Sequence, residues 1–246
     1  TRPVPKMDVN PVSSSRPGEW KKVDVVDWHE RSIGRAVLKV RSVMPMLQNN
    51  FPARVRQEIL AKQTGKKVTK KEPKDIDRCF LEAMILIGER PTKADLDGGQ
   101  LKAGTHERFR FAMPAVAFKD AAVEAANKYD DAFKTDARAS FWIITPPEDQ
   151  NMIPLELDAP PYAREDVARQ KGTIDIRIRP CFDAWRATIN LEFSTRCVSF
   201  ESLYSWFRNA GRSMGIGDWR LFGKTSTGMF GGFEIVEAAY QLPKDA

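Results

Sequence analysis

Two alternating runs in the last third of the chain constrain its fold more than any other feature of the 246 residues. In Thr173 to Pro180, Ile174, Ile176 and Ile178 alternate with Asp175, Arg177 and Arg179. In Trp185 to Phe193, Ala187, Ile189, Leu191 and Phe193 alternate with Arg186, Thr188, Asn190 and Glu192. A period of two sends each set to one side of a pleated strand, so both runs predict half-buried strands with the isoleucines inward and the arginines outward. The short gap between them predicts a hairpin. Ser199 is a good N-cap for a following helix with Phe200, Leu203, Phe207 and Ala210 on one face, and Gly211 is placed to end it. A glycine-rich stretch, Gly215 to Gly232, leads into a last strand, Phe233 to Ala238.

Earlier elements follow from the same periodicities. Ala36 to Met44 alternates, with Leu38 and Val40 inward and Lys39 and Arg41 outward. Pro52 opens a helix with Val55, Ile59 and Leu60 on its apolar face, ended by Thr64 and Gly65. Asp77 to Ile87 is apolar on both sides and predicts a central strand. Glu89 to Glu107 reads as a long polar loop, Arg108 to Ala112 as a strand, and Pro114 starts a helix with a small-residue face of Val116, Ala117, Ala121, Ala125 and Ala126. Phe141 to Ile144 and Met152 to Leu157 predict a second hairpin, and Asp158 to Lys171 reads as loop.

In order, the strong elements are strand, helix, inserted region, strand, strand, helix, strand. That is the βαββαβ order of an α+β, ferredoxin-like (RNA-recognition-type) core, modified by a large insertion. Residues 1–20, rich in Pro and Ser, form an extended arm; residues 21–246 form one domain, with 88–171 as the insertion.

Charge separates along the chain. Thr1 to Gly88 holds 18 Lys and Arg against 10 Asp and Glu, whereas Glu89 to Lys171 holds 12 against 15. A basic excess confined to one third suits a polyanionic partner through counterion release, and equally a solvated surface. Thr64 to Lys74 has five lysines, among them Lys66, Lys67, Lys70 and Lys71, and reads as a basic loop. Lys39, Arg41, Arg177, Arg179 and Arg186 fall on polar faces of predicted strands. Trp219, Arg220, Lys224 and Phe230 are interleaved with glycines, a pattern that supplies stacking faces, charge and close backbone approach to a nucleic-acid strand, or simply a loop closing the sheet.

Other chemistry has little material. The glycine spacing matches no nucleotide-cofactor fingerprint. His29 and His106 have no evident catalytic partner, and Asp95 with Asp97 makes a bare pair without further oxygen ligands for a metal. Neither a cofactor nor a metal is expected. Cys79, Cys181 and Cys197 are odd in number and unrelated in spacing, which predicts free thiols, Cys181 and Cys197 among them buried, and a reducing, cytoplasmic setting. No apolar run approaches the roughly 18 residues of a membrane span, and the start of the chain lacks a leader pattern.

A βαββαβ core with a glycine-rich loop directly before its final strand, here GIGDWRLFGKTSTGMFGGFEI from Gly215 to Ile235, resembles the RAMP superfamily, whose members form RNA-binding subunits of CRISPR effector complexes. AMPAVAFKDAAVEAA, Ala112 to Ala126, is similar to the proline-led helix in the inserted part of their backbone subunits. The same segments resemble an uncharacterised family common in phages and prophages. The resemblance implies a non-enzymatic subunit that binds single-stranded nucleic acid, RNA in the first place, and packs against copies of itself and other subunits in a bacterial or phage-infected cell. A phage structural or assembly protein without nucleic-acid binding is the alternative. A RAMP-type ribonuclease is a third; its first-strand loop here, MLQNNF from Met46 to Phe51, offers Asn49 and Asn50 but no carboxylate.

Overall fold

The structure is a computed structural model, and it describes residues 32–50, 56–57, 60–61, 63–65, 75–170, 173–223 and 228–243. The basic loop with Lys66, Lys67, Lys70 and Lys71, as well as Lys224, His29 and the N-terminal arm, lies outside the described residues.

Among the described residues, twelve strands fall into two antiparallel sheets, with helices packed against them, giving a mixed α and β architecture. In chain order the strands are β1 (Ile33–Ser42), β2 (Met46–Leu47), β3 (Leu86–Ile87), β4 (Leu96–Asp97), β5 (Gln100–Leu101), β6 (Arg110–Pro114), β7 (Phe141–Ile144), β8 (Met152–Leu157), β9 (Tyr162–Gln170), β10 (Thr173–Phe182), β11 (Trp185–Ser194) and β12 (Phe233–Gln241). Besides helical residues at 56–57, 60–61 and 63, the helices of the described residues are α1 (Ile76–Ala83), α2 (Ala115–Tyr129), α3 (Lys134–Ser140) and α4 (Phe200–Asn209). The larger sheet runs β12-β1-β11-β8-β6-β3, with β7 also on β11; the smaller runs β2-β10-β9-β5-β4.

The alternation of β1 and β11 survives as read. Ala36, Leu38 and Val40 pair with Leu191, Ile189 and Ala187 on the buried side. Against them pack Phe118 of α2 and Leu203 and Phe207 of α4, in one continuous core. Ser199 caps α4 by accepting from the Ser202 N–H at 3.1 Å. Pro114 precedes α2, whose Ala121, Ala122, Ala125 and Ala126 are buried; Val116, expected on that face, is exposed.

Several expectations are corrected. Of Asp77 to Ile87, only Leu86–Ile87 is strand (β3) and the rest begins as helix: Asp75 caps α1 by accepting from the Arg78 N–H at 3.0 Å, and Arg78 pairs with Glu82 one turn on. Its apparent two-sided apolarity is helical spacing, with Phe80, Ala83 and Met84 buried. The polar stretch after it contains a small hairpin, β4–β5, turned by Gly98 and Gly99 at φ 56° and 78°. β7 and β8 do not form a hairpin, since both pair with β11. Helix α4 does not end at Gly211. It continues through a wide π turn, Ala210–Met214, and closes at Gly215, φ 67°. Gly211 is needed for another reason, because a Cβ there would collide with the Phe233 carbonyl of β12. Near the basic loop, the Thr64 N–H bonds to the Leu60 carbonyl at 2.9 Å and Gly65 is left-handed, as a helix end requires; Leu60 itself is exposed.

The largest correction concerns the two alternating runs. They are not a hairpin, because β10 lies in the smaller sheet and β11 in the larger. β10 pairs instead with β9, a stretch that looked like loop because it is polar on both sides. The chain turns the corner between sheets at Asp183–Ala184, with Phe182 packed edge-on against Phe111 and Trp185 against Phe118 and Phe233.

Gln48 joins the two sheets. Its N–H donates to the Pro180 carbonyl at 3.1 Å, its amide Nε2 to the Ala112 carbonyl at 2.9 Å, and its Oε1 accepts from the Ile85 N–H at 2.8 Å. The side chain is fully buried, so nothing replaces these bonds when it is lost. Gln48→Leu should destabilise the fold by roughly 1–3 kcal/mol for each backbone group left unpaired. A urea-melt midpoint equal to that of the parent would refute the bridging role.

Candidate nucleic-acid interface

The glycine-rich loop lies across the smaller sheet. The Asp218 N–H donates to the Leu47 carbonyl at 2.8 Å, and the Gly231 N–H to the Pro45 carbonyl at 2.7 Å. Ile216 N–H bonds to the Gly231 carbonyl at 3.0 Å, which closes the loop on itself. Three glycines make these approaches possible: a Cβ at Gly217 would meet the Leu47 carbonyl, one at Gly228 the Trp219 carbonyl, and one at Gly231 the Ile216 carbonyl. The close backbone approach that glycine permits is thus used within the chain. Trp219 itself is left-handed, φ 49°, an uncommon conformation for a bulky residue.

Beneath the loop, register brings four charged residues of β9 and β10 to one side of the sheet, with Arg179 opposite Arg164 and Arg177 opposite Asp166. Arg179 is buried, 1% exposed, which corrects its expected outward position. Its Nη1 donates to Asp166 Oδ2 at 3.2 Å. Its Nε stands 2.7 Å from Asp218 Oδ2 but outside hydrogen-bond geometry, and Nη2 meets no acceptor among the described residues. The guanidinium lies 4.4 Å from the Trp219 ring centroid. Alongside, Arg164 lies 5.1 Å from the Phe230 centroid and donates from Nε to Asp166 Oδ1 at 3.0 Å. The result is two arginine–aromatic stacks sharing one carboxylate. Arg177 is half-buried and has no ion pair among the described residues. Arg220 is exposed and donates to the Phe222 carbonyl at 3.0 Å.

The cations of the larger sheet are differently placed. Lys39, Arg41 and Arg186 share its outer face, with Arg41 and Arg186 directly opposite. Each is matched by an acid: Lys39 with Glu237 at 2.8 Å, Arg41 with Glu234 at 2.6 Å, Arg186 with Asp158 at 2.5 Å and Glu156 at 3.6 Å. Arg35 pairs with Glu192 in the same way. Of the residues proposed from sequence, the structure therefore brings Arg177, Arg179, Trp219, Arg220 and Phe230 together and sets Lys39, Arg41 and Arg186 apart on the other sheet.

Sequence reasoning missed Arg164, Asp166 and Asp218. Arg164-x-Asp166 and Arg177-x-Arg179 have the same spacing of two, and pairing of the two segments would have exposed them.

The remaining candidates are occupied structurally. Asp95 accepts from the Thr92 N–H and hydroxyl, both at 2.8 Å, which holds its carboxyl below the usual range. Among the described residues no three His, Cys, Asp or Glu gather as metal ligands, and no helix is long and apolar enough to cross a membrane. His106 Nδ1 is buried and has no hydrogen-bond partner among the described residues. Burial pushes the Cys181 thiol up, away from thiolate chemistry; Cys197, expected to be buried, is exposed.

No family model and no curated protein matches this chain. Among solved structures, the crystal structure of Thermofilum pendens Csc2 aligns over 89% of this chain and 71% of its own, with a TM-score of 0.31 and 8% identity. A likeness at that level carries no argument.

The buried and exposed ion pairs should behave differently. Asp166→Ala strips Arg179 of a buried partner and should cost on the order of 3 kcal/mol. Arg35→Ala, whose side chain is 71% exposed, should cost less than about 1 kcal/mol. Equal shifts in denaturation midpoint would refute the assignment of Arg179 as the structural cation.

Proposed function

We propose that the chain is a non-enzymatic subunit of a nucleoprotein assembly and binds a single strand of RNA or DNA along the solvent-facing side of the glycine-rich loop and the adjoining residues of β9 and β10. The observation that carries this reading is the pair of arginine–aromatic stacks, Arg179 on Trp219 and Arg164 on Phe230, with Arg177 and Arg220 beside them. Each ring has one face against a guanidinium, both residues are partly exposed, and an aromatic face is the kind of surface on which a base stacks. Arg177 and Arg220 supply charge toward phosphates. The lysine segment at 66–71 and Lys224 add point charges in this reading. The central strands β12, β1 and β11, backed by α2 and α4, are the part of the fold on which the ferredoxin-like and RAMP-like reading rests. We read residues 21–246 as one domain.

One observation favours the second reading, an assembly protein that binds no nucleic acid. The outer face of the larger sheet presents its cations already neutralised, so it offers no net attraction to a polyanion.

The experiment is a titration of a fluorescent uridine 20-mer and its DNA equivalent across salt concentrations. Arg177→Ala with Arg220→Ala should weaken binding and lower the slope of log K against log salt by about 0.7 per lost phosphate contact. Both residues lie outside the buried ion pairs, so the melting temperature should hold. An unchanged slope, or no binding by the parent at low salt, would support the assembly-protein reading instead.

A further inference from the structure

Among the described residues the larger sheet ends at β12, whose outer edge has no paired strand. Natural edge strands are guarded by free charge, proline, shortness or a bulge, and in β12 a bulge guards only the first half. β12 is nine residues long, and both its acids are spent inside the chain, Glu234 on Arg41 and Glu237 on Lys39. A bulge at Val236, where the pairing with β1 shifts, separates the first residues from a regular run, Glu237 to Gln241, that pairs with Arg35 to Lys39. All of that run is exposed. On the buried side of the sheet, Tyr240 is 50% exposed and stacks on Phe200 of α4 at 4.1 Å and 14°. Phe200 in turn neighbours Tyr204 and Phe193. An aromatic shelf therefore flanks the open edge, beside a groove of about 510 Å³ lined by Phe193, Phe200, Tyr240 and Leu242.

We infer that β12 is the edge through which two copies of this chain join, antiparallel about Ala239, into one continuous sheet. An edge of free N–H and C=O groups is matched in kind only by another strand. The choice of a second copy rests on self-complementarity. Pairing about Ala239 sets Glu237 against Gln241 of the second copy, so no like charges meet. It sets Ala238 against Tyr240 of the second copy, small against large, on the buried side where both residues alternate with the outward Glu237 and Ala239. Two Phe200–Tyr240 shelves then close over the junction from either side of the axis. A two-fold interface requires a patch that fits itself, and this register meets that condition in both charge and size. The inference gives a surface to the self-association that the family resemblance implies, and it stands without any nucleic acid.

The test is the mass of the full chain by sedimentation, stripped of nucleic acid by nuclease and high salt. The parent should be a dimer. Ala239→Lys, exposed and on the axis, sets like charges face to face and should raise the dimer dissociation constant roughly tenfold or more, with an unchanged melting temperature. Val116→Lys, on an exposed position of α2, should leave the dimer intact. With Cys197→Ser as background, Ala239→Cys should cross-link two copies under mild oxidation. A parent that is monomeric at all concentrations, or a dimer indifferent to Ala239→Lys and uncross-linked by Ala239→Cys, would overturn the inference. Oligonucleotide binding is read separately, so a lost dimer with intact binding rejects only this interface, and lost binding with an intact dimer rejects only the proposed function.

Discussion

Arg179 and its two carboxylates organise this molecule's candidate surface. A guanidinium with 1% exposure is tolerable only when its charge is met on the spot, and here one acid comes from the neighbouring strand and the other from the glycine-rich loop. Asp166 fixes β9 to β10; Asp218 fixes the loop to both. Asn49, which donates to the same Asp218 oxygen at 3.3 Å, ties in the segment after β2. The Trp219 ring is placed against the guanidinium as a consequence, and the left-handed backbone at Trp219 is held by these contacts. The loop is therefore a built platform, with its glycines consumed by its own close backbone crossings.

The two sheets divide the charge differently. On the larger sheet, cations of β1 and β11 face acids of β12, β8 and β11 in exposed pairs, each of which contributes little to stability and leaves little net field. On the smaller sheet, arginines are layered with aromatics, and Arg177 and Arg220 keep their charge. An anionic strand would find attraction at the second surface, while the first is better matched to protein.

Sequence pattern reached the core and stopped short of the site, for physical reasons. β1, β11, α2 and α4 are legible because each buries one face, and a half-buried element writes its period into the chain, whereas β12 buries Phe233 alone. Which strand pairs with which is not written there. β10 and β11 look alike in period, yet they enter different sheets, and the reason lies in β9, whose arginines and acids neutralise each other across a ladder and so read as loop. α1 was misread because eight residues hold too few turns to separate a helical stripe from a strand apolar on both sides. The glycine-rich loop was recognised as special, but its glycines answer to Leu47, Trp219 and Ile216 of the same chain. Asp218 sat inside that quoted motif; its role depends on Arg179, 39 residues away, which alternation had placed in solvent.

The proposed strand-binding surface is the solvent-facing side of the glycine-rich loop with the adjoining residues of β9 and β10. Amide hydrogen exchange of the full chain, with and without saturating single-stranded RNA, tests it most directly. The account predicts added protection in residues 162–182 and 215–232, with residues 33–42 and 185–194 unchanged. Protection confined to β1 and β11, or none anywhere, would contradict it.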